Sequence, residues 1–374
     1  METITQKYAD LTNYINSKPI KSHGQRRLEV LSPLDGSLLC HVPMSTRADL
    51  DQAVAAAQKA QPAWAAMPIK ERVQVFFRYR HLLEKNIDEL TALIQEENGK
   101  TWTEARAEVE KSIELTEFAC SLPQLVQGEL LEVSKGVECR VERYPVGIVA
   151  CVVPFNFPCM VPNWTIPNAI ALGNAMIMKP SELVPLSTMR LAELLKEAGL
   201  PDGIFNVVHG DREIVEALCD HPDIDAVSFV GSTAVAKQVF IRSSSHLKRC
   251  VALGGAKNHL IVLPDANPNM TASNVAASMS GCAGQRCMAA SAMVAVGSVQ
   301  HIIDLLCEEA RQIVPGKNLG AVISRQAKER IERYITEAEQ QGAKILVDGR
   351  NAIVPGKEGG FYVGPTVIDF VQPT

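Results

Sequence analysis

The chain has 374 residues, of which 47% are hydrophobic and 21% charged, with a formal net charge of −5. So much apolar material excludes a disordered polymer and is enough for two or three packed cores. A mildly acidic balance without a basic cluster excludes broad binding to nucleic acid or to an anionic membrane surface, both of which require concentrated lysine and arginine.

The opening stretch METITQKYADLTNYINSKPI lacks the apolar run of a secretory signal and carries Glu2 and Asp10, which transit peptides avoid. No later stretch approaches the length and apolarity of a membrane span. From about Ser45 to Cys120, apolar residues recur at a spacing of three to four. That spacing predicts helices over TRADLDQAVAAAQKAQPAWAAM, RVQVFFRYRHLLEKNIDELTALIQEENGK and TEARAEVEKSIELTEFAC, with Asn98-Gly99 punctuating the last two. Between Leu125 and Tyr144 the pattern loosens toward short strands, ELLEV and VECRVERY, an excursion away from the helical core.

From Gly147 onward, short apolar runs alternate with helical segments such as PLSTMRLAELLKEAG. The runs GIVACVVP, AMIMKP, FNVVHG, AVSFVGS, RCVALGG and HLIVLPD read as parallel strands covered on both faces, hence a doubly wound α/β domain. Such sheets bind ligands beyond the carboxyl ends of their strands. A second α/β unit begins near Ala266, where NMTASNVAASMSGCAGQRC reads as a helix leading to a cysteine and SAMVAVG as a strand, and QAKERIERYITEAEQQG, AKILVDG and YVGPTVIDF continue the alternation. The ten cysteines contain no C-x-x-C pair. That spacing favours reduced thiols in a cytoplasm over a disulfide framework or a zinc site.

Four stretches are candidates for chemistry. In GQRCMAA, Cys287 follows Arg286, whose charge would favour a thiolate, and Gly284 permits close backbone approach. The alternative is a small buried core cysteine, and Cys282 is a rival nucleophile. In PFNFP, Asn156 lies at the end of a strand, where its amide would donate either to an oxyanion or to an Asx-turn. No G-x-G-x-x-G occurs. Instead MKPSE places Lys179 and Glu182 at the end of a strand, suited to ribose hydroxyls or to a plain ion pair. FVGSTAVA opens a helix at Ser232, suited to a phosphate or to an ordinary cap.

Taken in order, PFNFP, MKPSE, FVGST, LGGAKNH, GQRC and GPTV resemble the aldehyde dehydrogenase superfamily over nearly the whole chain. The resemblance implies that Cys287 attacks an aldehyde and that Asn156, with the cysteine's own N–H, holds the oxyanion. It implies NAD as hydride acceptor, with Lys179 and Glu182 at the adenosine ribose, Ser232 by the pyrophosphate, and Val153, Phe155 and Gly254 lining the cleft. Hydrolytic members carry a water-activating glutamate one residue before the leucine of LGG, where this chain has Ala252. AKNH, PFNFPCMVP and AGQRCMA together resemble the methylmalonate-semialdehyde dehydrogenase branch. This implies malonate or methylmalonate semialdehyde as substrate, coenzyme A as acyl acceptor, and decarboxylation to acetyl-CoA or propionyl-CoA. The alternatives are a hydrolytic NAD(P)-dependent relative and a truncated homologue without turnover.

The same resemblance divides the chain into an NAD-binding domain of residues 1–124 and 146–257, an oligomerisation excursion of 125–145, and a catalytic domain of 258–374 whose C-terminal part is missing. It implies a dimer or tetramer for the full-length protein. Arg286 and Lys111 would grip the substrate carboxylate, Lys111 standing where the branch has an arginine and so losing the bidentate fork. Asn163 and Thr165 replace bulkier apolar residues, which predicts an altered substrate pocket.

Overall fold

The protein is described over residues 6–372 in a computed structural model. Four short strands open the chain: β1 (Asn13–Ile15), β2 (Lys18–Ile20), β3 (Arg27–Leu31) and β4 (Leu38–Pro43). Their helical successors are α1 (Arg47–Ala66), α2 (Ile69–Lys85), α3 (Ile87–Asn98), α4 (Trp102–Cys120) and the single turn α5 (Leu122–Leu125). The long helix expected over 72–100 is broken at Asn86, which caps α2 and opens α3 with a non-helical ψ of 21°. Gly99 ends α3 in the left-handed region at φ 86°, a conformation that costs glycine little. The hairpin β5 (Glu129–Ser134) and β6 (Val137–Val141) follows, exposed at every position.

The alternating region forms β7 (Ile148–Val152), α6 (Met160–Ala171), β8 (Ala175–Lys179), α7 (Leu186–Glu197), β9 (Phe205–Val207), α8 (Arg212–Asp220), β10 (Ala226–Val230), α9 (Thr233–Ser245) and β11 (Arg249–Leu253). Among the described residues these strands build a seven-stranded sheet in the order β11-β10-β7-β8-β9-β1-β2. β7 to β11 run parallel, while β1 joins β9 antiparallel through Tyr14 and Val207. β7 and β8 are buried at every residue, which is why they read as apolar runs, with Lys179 at the end of β8 the one polar side chain. The chain winds outward from β7 through β8 and β9, then returns to β10 and β11 on the other side. The switch point therefore lies between β7 and β10, and a crevice opens outside their carboxyl ends.

The second α/β unit contains β12 (Asn258–Val262), α10 (Pro268–Ser280), β13 (Ala290–Ala295), α11 (Gln300–Arg311), α12 (Arg325–Gln340), β14 (Lys344–Val347) and β15 (Val367–Asp369). β12 and β13 pair in parallel over their own apolar clusters, separate from the core of the main sheet. The helix expected to run into Cys287 stops at Ser280. A tight turn over Gly281–Gly284 replaces it, with Cys282, Ala283 and Gly284 all at positive φ. Of YVGPTVIDF, only Val367–Asp369 is a strand. Among the described residues, no helix is long and apolar enough to cross a membrane.

Candidate active site

The crevice at the switch point is a cavity of about 1400 Å³. β7 delivers Val153, Phe155 and Asn156 to its wall, β8 delivers Lys179 and Glu182, and β10 delivers Gly231 and Ser232. Gly254 follows β11, while Gly284, Gln285, Arg286 and Cys287 come from the turn after α10. Asn156 and Cys287, far apart in the chain, are joined through Gln285, whose carbonyl oxygen accepts from Asn156 Nδ2 at 2.8 Å. One of the two amide N–H donors of Asn156 is thereby committed, and the other remains. Gln285 also accepts from the Ile323 N–H at 3.0 Å and donates to the Cys282 carbonyl at 3.1 Å. This bracing role had no signal in the sequence beyond a polar residue beside a glycine.

Cys287 is exposed and lines the cavity, with its carbonyl held by Asn258 Nδ2 at 2.8 Å. Cys282 is buried and does not line the cavity. Burial pushes its thiol up, against the nearby charges of Lys100 and Arg286. The open, reachable thiol is the one that can meet a substrate.

At the opposite end, Lys179 Nζ donates to Glu182 at 3.1 Å and to the Gly210 carbonyl at 2.7 Å. The ammonium is buried and the carboxylate one third exposed, so the pair presents an acceptor toward the cavity. Ser232 is the N-cap of α9, yet its side chain makes no capping bond, and the helix start faces the cavity with N–H groups suited to a phosphate. A side chain at Gly254 would approach within 3.0 Å of Thr233, so glycine keeps this wall close to α9. Together these residues fit a dinucleotide: a carboxylate for ribose hydroxyls, a helix N-terminus for the pyrophosphate, and an open passage toward Cys287.

Two expectations about the substrate end are corrected. Lys111 does not reach the cavity: it sits on the solvent side of α4, half exposed, and pairs with Glu114 three residues on. The carboxylate clamp therefore lacks its second cation here. Arg286 does line the cavity, but its Nε donates to Cys282 Sγ at 3.3 Å and its guanidinium lies 3.5 Å from Glu104. Neither Asn163 nor Thr165 lines the cavity. Asn163 is buried, accepting from the Tyr79 hydroxyl at 3.0 Å, and Thr165 lies against the Cys151 thiol. Trp164 and Val161 of α6 line the substrate end instead.

Neither Ala252 nor Leu253 is itself a lining residue of the cavity. In register, Cys250 and Ala252 share a face with Val227 and Phe229, and Cys250 meets Ser243 of α9. Leu253 lies on the opposite face with Val251 and Ser228; Cys151, in register with Ser228, touches Thr165 of α6. Leu253 is thus on the α6 side with Trp164, and Ala252 is on the α9 side with Phe229; both sides contribute to the cavity wall. Neither residue is acidic. The carboxylates lining the cavity, Glu182, Asp211, Glu216 and Asp220, all lie between the end of β8 and the end of α8, none on the segments bearing Asn156 or Cys287.

Residues 20–374 match the model of the aldehyde dehydrogenase family. The chain is 44% identical over 370 residues to malonate-semialdehyde dehydrogenase 1 of Geobacillus kaustophilus, covering 97% of this chain and 76% of that one. It is 41% identical over 367 residues to the human mitochondrial methylmalonate-semialdehyde/malonate-semialdehyde dehydrogenase [acylating], covering 96% of this chain and 69% of that one. A Sinorhizobium meliloti structure described as a methylmalonate-semialdehyde dehydrogenase complexed with NAD superposes with a TM-score of 0.96 at 39% identity, covering 99% of this chain and 77% of that one. The methylmalonate-semialdehyde dehydrogenase of Oceanimonas doudoroffii gives 0.94 at 42% identity, covering 98% and 76%. With its cysteine, its asparagine and its nucleotide-shaped cleft on this fold, the chain belongs to the aldehyde dehydrogenase family.

Proposed function

We propose that the protein oxidises malonate or methylmalonate semialdehyde with NAD and passes the acyl group to coenzyme A. The carrying observation is a single cavity with the exposed Cys287 and Asn156 at one end and Lys179, Glu182 and Ser232 at the other, whose Cys287 end has no carboxylate among its lining residues. The Cys287 thiolate adds to the aldehyde carbon, and the free amide N–H of Asn156 meets the oxygen as it becomes negative. Bound NAD supplies the acceptor for the hydride lost when this adduct becomes a thioester. Lys179 and Glu182 orient the ribose, and the start of α9 holds the pyrophosphate. Arg286 supplies positive charge for the substrate carboxylate.

A thioester without a neighbouring general base hydrolyses slowly, because water is a poor nucleophile until a proton is removed from it. A thiol such as that of coenzyme A attacks the thioester carbonyl directly and displaces the Cys287 thiolate. The substrate carboxylate leaves the thioester as carbon dioxide, a proton takes its place on the carbon that bore it, and transfer of the remaining acyl group to coenzyme A releases acetyl-CoA or propionyl-CoA. The names of the Geobacillus and human relatives support this substrate class, and the bracketed word in the human name supports acyl transfer. The exposed apolar side chains of the β5–β6 hairpin, Leu130, Leu131, Val133, Val137 and Val141, support self-association through residues 125–145.

The test is NADH formation with malonate semialdehyde in rapid mixing. A burst of about one equivalent per site is expected without coenzyme A, with steady turnover on its addition. Cys287→Ala abolishes the burst and Cys282→Ala retains it. Rapid turnover to free acid without coenzyme A would establish the hydrolytic reading instead.

A further inference from the structure

Asn156 is fixed by more than its own side chain. The stretch Phe155–Met160 is tied at several points to the α3–α4 junction. Asn98 Nδ2 donates to the Phe155 carbonyl at 2.7 Å, and Lys100 Nζ donates to the Asn156 carbonyl at 2.6 Å. Glu108 Oε1 accepts the N–H groups of Cys159 and Met160 at 2.8 and 3.0 Å, at the start of α6. Lys100 and Glu108 also pair with each other, with side chains 1% and 0% exposed. The Lys100 ammonium lies 3.9 Å from the centre of the Phe157 ring.

A buried ion pair is a poor source of stability, since desolvating two charges offsets most of their attraction, and an apolar pair of equal size is often as good. What this pair does have is direction. Beyond one another, the partners of Lys100 are the Asn156 carbonyl and the Phe157 ring, and those of Glu108 are the two N–H groups just after Pro158. The pair thus grips both flanks of the segment that presents the Asn156 amide to the cavity, while Gln285 holds the amide itself.

We propose that Lys100 and Glu108 are positioning residues for Asn156, holding its peptide so that the remaining amide N–H points where the oxyanion forms beside Cys287. This rests on the assignment of Asn156 and Cys287 above. Displacement of a donor by about 1 Å costs on the order of a hundredfold in rate, similar to losing the donor.

The experiment compares Lys100→Met, Lys100→Met/Glu108→Gln and Asn156→Ala. The double variant leaves no unpaired buried charge, and its glutamine carbonyl can still accept from Cys159. Expected are a fall in kcat of about a hundredfold, unchanged NAD affinity and KM, and an unchanged rate of Cys287 alkylation by iodoacetamide, which needs no oxyanion donor. In the Asn156→Ala background the same changes should add little further loss. The proposal is overturned if the folded double variant keeps wild-type kcat, if the losses multiply with Asn156→Ala, or if alkylation and NAD binding fall in parallel. It is also overturned if the double variant cannot fold, which would assign the pair to the fold alone. Asn156→Ala at full activity would remove the underlying assignment as well, whereas inactivity of Asn156→Ala beside an active double variant removes only the role of the pair.

Discussion

The identity of the acyl acceptor turns on two adjacent positions of β11 whose side chains point to opposite faces of the sheet. Leu253→Glu places a carboxylate on the α6 side, at a residue already 46% exposed, where the cost of a surface change is about 1 kcal/mol or less. Ala252→Glu places the same carboxylate on the α9 side beside Phe229, which lines the cavity, at a residue that is only partly buried. Overpacking there costs about 1–3 kcal/mol, a minor share of the ~5–15 kcal/mol that holds a domain. Ala252 is also the position at which hydrolytic members of the family carry their glutamate. Ala252→Glu should therefore raise steady NADH production without coenzyme A, by roughly a hundredfold if the carboxylate reaches water beside the thioester. Leu253→Glu, on the opposite face, should leave that rate nearly unchanged. A normally folded Ala252→Glu variant at the unmodified rate, beside a Leu253→Glu variant that raises it, would refute the face assignment.

Glu182 should select NAD over NADP, because a phosphate on the ribose would meet its carboxylate; the repulsion is at least about 1 kcal/mol. Glu182→Gln should narrow the NAD/NADP affinity ratio by roughly fivefold or more, and an unchanged ratio in fluorescence titrations would remove this role. A second prediction pairs two buried groups that oppose each other in acid. Burial, with the charge of Lys179, pulls the pKa of His209 down to about 3, and burial pushes that of Glu97 up to about 7 despite the donors Ser187 and Leu186. Below pH ~6.5 the unfolded chain protonates its histidine first, so His209 loses stability on acidification, whereas between pH ~7 and ~4.5 the folded chain protonates Glu97 first, so Glu97 gains it; each effect is about 2 kcal/mol between pH ~6.5 and ~4.5. Relative to wild type, His209→Asn should become more stable on acidification and Glu97→Gln less stable, read as urea midpoints; parallel behaviour of all three would contradict the argument.

The parallel sheet was legible because β7 and β8 are covered on both faces and so are apolar throughout, save Lys179 at the end of β8. β1 and β2 were not: NYI and KPI are three residues each, too short to show a period, and β1 reaches the sheet only by pairing with β9 from the far side of the sequence. The turn before Cys287 was equally hidden. Cys282 and Ala283 adopt left-handed backbone, which side chains disfavour, because contacts from elsewhere hold them there: Glu104 accepts the Cys282 N–H at 2.6 Å and Gln285 takes its carbonyl. Lys111 had the right charge, but a lysine on a helix points where the helix points it, and here a neighbouring glutamate meets it in solvent.

The β11 strand shows what motif spacing leaves undetermined at a reacting centre. Matching the leucine and glycines of LGG places the missing glutamate at Ala252, and the count is unambiguous along the chain. In a strand, however, a shift of one residue exchanges the two faces of the sheet, and the pairings Phe229 with Ala252 and Val230 with Leu253 decide which face each occupies. Contacts such as Cys250 with Ser243 on one side and Cys151 with Thr165 on the other fix those faces. They put Ala252 beside Phe229, a residue of the cavity wall, so the place at which a base could be restored stays where the motif puts it. The spacing names the residue, and only the strand register supplies the face its side chain occupies.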